Sequence, residues 1–135
     1  MGGKLTNEGE IDVISWYLKN DQTSRGADSL YLGLYTDSTE PLETATLATI
    51  TELALTGYAR IQLNDADWSG AADVATNLAK TFTAGEDWGN VYGYFICNVP
   101  TGTAGELLFV EHFSTGAFNV ANGKTIEITP KITVA

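Results

Sequence analysis

The stretch TFTAGEDWGNVYGYFICN, residues 81–98, decides the fold. A glycine-flanked acidic turn carries Trp88 and runs straight into Val91-Tyr92-Gly93-Tyr94-Phe95-Ile96-Cys97. Side chains of a strand alternate between two faces, and here both faces are apolar, so both need cover. The stretch is therefore read as a central strand. Gly85 and Gly89 allow the tight backbone of the turn, which lets Trp88 fold back as a plug over the end of the domain.

Upstream, SLYLGLYT sets Leu30, Leu32 and Leu34 on one face and Tyr31, Gly33 and Tyr35 on the other. Tyr92 and Tyr94 stand opposite Val91, Phe95 and Cys97 along the central strand. If the leucine face makes the core, these tyrosines need a second cover, either the N-terminal helix or another subunit. That helix is expected over about residues 7–19, with Asn7 as its N-cap and Glu10 completing a capping box. Ile11, Ile14 and Leu18 form one stripe at helical spacing, widened by Val13, Trp16 and Tyr17. GYARIQL and LAKTFTA read as further strands, DSTEPLET and NDADWSGAADVATN as loops, and residues 47–53 as either a short helix or an edge strand. Downstream come ELLFVEHF and a terminal hairpin of AFNV and KTIEITPKITV around Asn122-Gly123. Pro130 cannot donate to a ladder, so the last strand lies at an edge or bends there. With no βαβ alternation, no repeat and no linker, the chain is expected to be mainly β. It reads as a single antiparallel β-sandwich spanning residues 1–135, with about seven to eight strands and one N-terminal helix.

The 135 residues carry a net charge of −10, with only seven Lys and Arg and a pI near 4.2. Phosphate neutralisation needs a basic patch, so nucleic acid is excluded as a partner, and an anionic membrane surface on the same ground. No apolar run approaches the roughly 20 residues of a spanning helix, and MGGKLTNEGE lacks the apolar core of a signal peptide. Gly2 followed by Thr6 fits the short myristoylation pattern, which many unrelated proteins also fit.

Chemistry-bearing residues are sparse. Cys97 is the only cysteine and lies in an apolar strand, where a thiol behaves as a small hydrophobe. His112 is the only histidine and alternates with apolar neighbours, as a structural side chain does. Nucleophilic catalysis would need these two together with an orienting group, and nothing in the pattern joins them. One Cys and one His are too few for zinc. Asn64, Asp65, Asp67 and Asp73 gather enough oxygen to raise calcium, but the loop lacks the EF-hand glycine and terminal glutamate, so a solvated acidic loop is the expectation. No cofactor and no enzymatic activity are expected. Trp68, in DADWSG, reads as a loop residue packed on its own domain, with sugar stacking as the alternative.

The succession of motifs, more than any one of them, resembles a family of small tailed-phage virion proteins of head-decoration or tail-fibre type. LTNEGE opens the helix, LYLGLYT follows, then GYARIQL, then KTFTAGEDWGNVYGYFIC, GELLFVEHF and NVANGKTIEITP, in the same order over nearly the whole chain. The resemblance implies a β-sandwich virion component, with Asp87-Trp88-Gly89 as a structural signature. Its leading implication is a decoration, or cement, protein made in the host cytoplasm. Such a protein binds the major capsid protein on the outer head surface as a homotrimer and holds capsomers together. A tail or fibre component, whether or not it recognises the host, is the alternative. Trp16, Tyr17, Tyr31 and Tyr35 are the large side chains without a place in a leucine-lined core, and they are the expected subunit interface.

Overall fold

The computed structural model describes residues 3–17, 29–71 and 73–133. In chain order it holds β1 (Lys4–Leu5), α1 (Asn7–Tyr17), β2 (Leu30–Tyr35), β3 (Ile61–Leu63), a single 3₁₀ turn (Asp65–Asp67), β4 (Ser69–Ala71), β5 (Val74–Thr76), β6 (Lys80–Thr83), β7 (Gly89–Val91), β8 (Gly93–Cys97), β9 (Leu107–His112), β10 (Phe118–Val120), β11 (Thr125–Ile128) and β12 (Lys131–Thr133). Every pairing is antiparallel. The fold is mainly β with one α-helix, as the strand-rich sequence predicts. It divides differently from a simple sandwich, however: the described residues form a five-stranded sheet ordered β1-β9-β8-β2-β3 beside three smaller sheets.

The central pair is β2 with β8, in the register Leu32↔Ile96, Gly33↔Phe95, Leu34↔Tyr94, Tyr35↔Gly93. Twice, a glycine on one strand faces an aromatic residue on the other. A Cβ on Gly33 would collide with the Phe95 ring, and one on Gly93 with the Tyr35 ring. Each ring therefore lies flat across the bare backbone of its partner strand, which pins the register: a slip by one residue would drive a ring into a side chain.

Both faces of this sheet are covered. On the leucine face, Leu32, Leu34, Tyr94 and Ile96 pack with Phe82, Trp88, Val91, Val120, Ile126 and Ile128 from the small sheets. On the other face, Tyr35, Phe95, Cys97, Leu107 and Val110 pack with Leu47 and Ile50. The second cover is thus neither α1 nor a neighbouring subunit at this point, but the segment 37–53. That segment forms turns rather than a helix or strand, anchored by Thr36 N–H to the Thr51 carbonyl (2.9 Å) and Leu53 N–H to the Leu34 carbonyl (3.0 Å). Tyr94 needs no second cover, because its register places it among the leucines.

Three local expectations shift. The N-cap of α1 is Thr6, one residue before Asn7. Its hydroxyl accepts from Gly9 N–H (3.2 Å) and its carbonyl from Glu10 N–H (2.9 Å). Thr6 wins because its buried hydroxyl also donates to the Leu107 carbonyl, tying the helix start to β9. The Glu8 carboxylate takes Leu107 N–H (2.8 Å), so α1 closes the end of that strand. The expected helix residues 18 and 19 lie outside the described residues, as does Gly2 of the acylation pattern. Asn122-Gly123 does make a tight turn, with Lys124 N–H on the Ala121 carbonyl (3.0 Å) and φ +77° at Gly123. Yet β10 leaves it to pair with β7 and β11 to pair with β6, so the turn links two sheets instead of closing a hairpin. The acidic loop after β3 carries β4 and β5, which its Gly- and Ala-rich sequence hid; β5 pairs with β12 beyond the bend at Pro130.

Trp88 is the plug that its turn implies. It is 4% exposed, its indole N–H donates to the Thr56 carbonyl (2.9 Å), and its ring meets Tyr58 edge-on at 6.2 Å. Trp88→Ala is expected to cost about 3–5 kcal/mol in urea unfolding. Gly93→Ala is expected to cost about 1–3 kcal/mol, because its Cβ would strike both the Tyr35 ring and the Glu111 carbonyl, and shortening Tyr35 to Ala should relieve only part of that cost.

Candidate functional site

The most developed polar constellation lies on the covered face of the central sheet. One step beyond the Leu32↔Ile61 pair, the β2–β3 register sets Arg60 across from Gly33. Because Gly33 has no side chain, the guanidinium reaches over it and stands 5.4 Å above the Phe95 ring centroid. Arg60 Nε and Nη2 grip both carboxylate oxygens of Glu52 at 2.8 and 2.7 Å. Its remaining N–H groups donate to the carbonyls of Val99 (2.9 Å) and Gly102 (2.8 Å). Tyr58 completes the set, donating to Glu52 (2.6 Å) and accepting from Leu34 N–H (3.0 Å). Burial works against the Arg60 charge, but the hydrogen bonds to Glu52 together with the charge interactions of Cys97, Glu52 and Tyr58 outweigh it and hold the guanidinium more firmly protonated than usual. Burial, then Glu52, pushes the Tyr58 hydroxyl far up. Four of the five N–H donors of the fork are engaged in these bonds and the Arg60 side chain is 3% exposed, so the network fastens loops and keeps its charge from a ligand.

The Cys97 and His112 pair is not brought together. Cys97 lies opposite Leu107 at one end of the β8–β9 ladder and His112 opposite Gly93 at the other, a separation of roughly 13 Å by strand rise. Burial raises the Cys97 thiol, which donates to the Val99 carbonyl. His112 stacks between Tyr35 and Tyr92 at 5.9 and 6.0 Å, and its Nδ1 meets the Tyr35 hydroxyl at 3.0 Å. Both residues therefore serve packing.

In the acidic loop, Asp67 is met by Lys80 (3.3 Å) and by the Asn64 amide (3.3 Å), while Asp73 is exposed. The described residues contain no cluster of three or more His, Cys, Asp or Glu side chains arranged for a metal ion. Trp68 is half-buried against the main core.

The tyrosines separate. Tyr35 is fully enclosed by its own chain, beneath Leu47 and Ile50, and leaves no surface for a neighbour. Tyr31 is half-buried and keeps an outer edge. The side chains of Trp16 and Tyr17 lie outside the described residues. The apolar residues that do reach solvent are elsewhere: Ile11 and Val13 on α1, Leu42 and Leu55 in loops, Leu78, and Phe118, which meets Phe113 edge-on at 5.1 Å. Loop 37–50 also folds around a surface cavity of about 430 Å³ lined by Asp37, Glu40, Pro41, Leu42, Ala45 and Ile50, among others. The sequence pattern pointed to none of this loop. Its one visible signal was an apolar residue, Leu42, set in an otherwise acidic and threonine-rich stretch.

A family model described as podophage GP4 fiber I protein gp80 matches residues 4–134, from β1 to just past β12. No curated protein matches the chain.

Removing the guanidinium tests the reading of the polar network. Arg60→Ala is expected to destabilise the fold by about 3 kcal/mol, the low end for a broken buried pair because Glu52 keeps 26% exposure. Hydrogen exchange should rise selectively at residues 98–105, the loop whose carbonyls Arg60 holds.

Proposed function

The chain belongs to the podophage GP4 fiber I protein gp80 family and is a structural protein of the phage virion; from that premise we propose that it serves as a non-enzymatic fibre subunit. The observation that carries this reading is the extent of the match, which takes in the central sheet, both covers and the terminal strands. The geometry supports it. Among the described residues, Arg60, the buried tyrosines, the thiol and the imidazole are all engaged in holding the fold, and the surface left to face a partner includes apolar side chains on loops and on α1. An adaptor or fibre subunit works through such surfaces.

Decoration of the head is the second reading, with the major capsid protein as partner on the outer capsid surface. It draws on the same exposed apolar positions, Leu42, Leu55 and Phe118, set on a small rigid body. In either place a homotrimer is the proposed assembly, since closed cyclic assembly is the common solution for small identical subunits. Of the aromatic residues considered for its interface, Tyr31 retains surface to contribute.

Immunogold labelling of purified particles separates the readings. Label along the fibres is the expected outcome. Label confined to heads overturns the fibre assignment in favour of decoration, and absence of the chain from purified particles overturns both. Tyr31→Ser is expected to lower the trimer fraction in native mass spectra at temperatures well below its unfolding midpoint, which should itself fall modestly because the ring is half-buried against the core.

A further inference from the structure

We propose that the corner formed by loop 37–50 and the first turns of α1 docks a segment of another virion protein that carries Lys or Arg beside an apolar side chain. The proposal rests on the virion reading and adds a place and a chemistry to it.

Three observations converge on this corner. First, the loop and the helix are one surface. Asn7 N–H at the start of α1 donates to the Glu43 carbonyl (2.9 Å), and Lys4 pairs with Glu40 (3.2 Å). Second, the surface holds apolar groups that its own domain leaves uncovered. Leu42 is 70% exposed at the cavity, and Ile11 in the first turns of α1 is 63% exposed. The stripe that the sequence pattern lays along α1 begins at Ile11, yet the helix meets the sheet through Thr6, Glu8 and Gly9, where a Cβ on Gly9 would strike the Leu108 carbonyl. Third, the charge around these groups has one sign. Glu8, Glu10 and Asp12 lie on α1, Asp37, Glu40 and Glu43 on the loop, and Glu106 beside β9. Among the described residues of this corner, Lys4 alone is basic, and Glu40 already pairs with it. Burial, followed by Asp12 and then Glu8, raises the Glu106 carboxyl, so these carboxylates already repel one another in the isolated chain.

That charge selects the occupant. A second copy docking through the same corner would press carboxylates against carboxylates on a chain of net charge −10. A basic segment removes the repulsion, and its apolar side chain finds Leu42 and the cavity beside it. Like-charge juxtaposition thereby excludes self-pairing here while favouring a basic partner.

Zero-length carbodiimide cross-linking of intact virions joins carboxylates to lysines in contact and tests the proposal directly. The expected product links Glu10, Glu40 or Glu43 to a lysine of a different virion protein. A parallel particle preparation carries the chain with Ile11→Ser and Leu42→Ser. Both residues are exposed, so its melting temperature should match the parent, and its incorporation into particles should fall at least about tenfold. The Lys4–Glu40 link within the chain is expected from their ion pair; beyond it, cross-links from this corner to a second copy of the chain and to no other protein overturn the proposal. So does normal incorporation of the double variant, or cross-linking elsewhere on the chain with none here; these leave the virion reading standing. Absence of the chain from purified particles instead removes the virion reading, and this proposal with it.

Discussion

Two glycines and two aromatic rings, exchanged across one strand pair, hold the rest of the structure in place. Phe95 lies over Gly33 and Tyr35 over Gly93, so β2 and β8 meet in a single register. Bare backbone at Gly33 also lets Arg60 cross from β3 and stand on Phe95. From there its fork reaches Glu52 in one loop and the carbonyls of Val99 and Gly102 in another. A side chain at Gly33 would displace the Phe95 ring, and with it the seat of the cation. The covering segment 37–53 would then lose its fastening at Glu52, and the face that holds Tyr35, Phe95 and Cys97 would open to water. Burying rings of this size contributes several kcal/mol each, a large share of the marginal stability of a domain.

Much of this was legible in the sequence, for a physical reason. A strand apolar on both faces has to be central, and the run from Val91 to Cys97 said so. The plug at Trp88 followed from its glycine-flanked turn. What escaped were features set by tertiary contact. Residues 47–53 show no period because they cover a sheet as irregular turns, with Leu47 and Ile50 spaced to fit Phe95 and Cys97. Strands β4 and β5 lack alternating apolar residues: β5, between β4 and β12, is half-buried along its length, and the pairing rests on backbone. Asn122-Gly123 announced a turn correctly, but local chemistry cannot say that the strands on either side belong to different sheets. Asn7 and Thr6 are both good caps; only the Leu107 carbonyl, supplied by a strand about a hundred residues away, favours Thr6.

The candidate site was less legible than the fold, because it is defined by what the core leaves over. Trp16, Tyr17, Tyr31 and Tyr35 were expected to mark the interface, yet Tyr35 is enclosed, lying across Gly93. Sequence counting cannot foresee that a ring will lie across a glycine on another strand. The apolar residues that remain exposed are ordinary ones, such as Leu42 and Ile11, whose position alone makes them notable.

The acidic character of the chain bears on how such a surface works. A charge of −10 spread over 135 residues keeps free copies apart, and at physiological salt that repulsion acts over about 8 Å. Apolar contact between copies must therefore form where carboxylates are few, and contact with a basic partner forms most readily where they are dense. The two kinds of surface are thus separated on one small body. The edge of Tyr31 lies on the central sheet, opposite Gln62 and Cys97, whereas the acidic corner lies at α1 and loop 37–50. On the proposed reading, a subunit built this way meets its own kind and a different protein at separate places, because the electrostatics that permit one contact forbid the other at the same place.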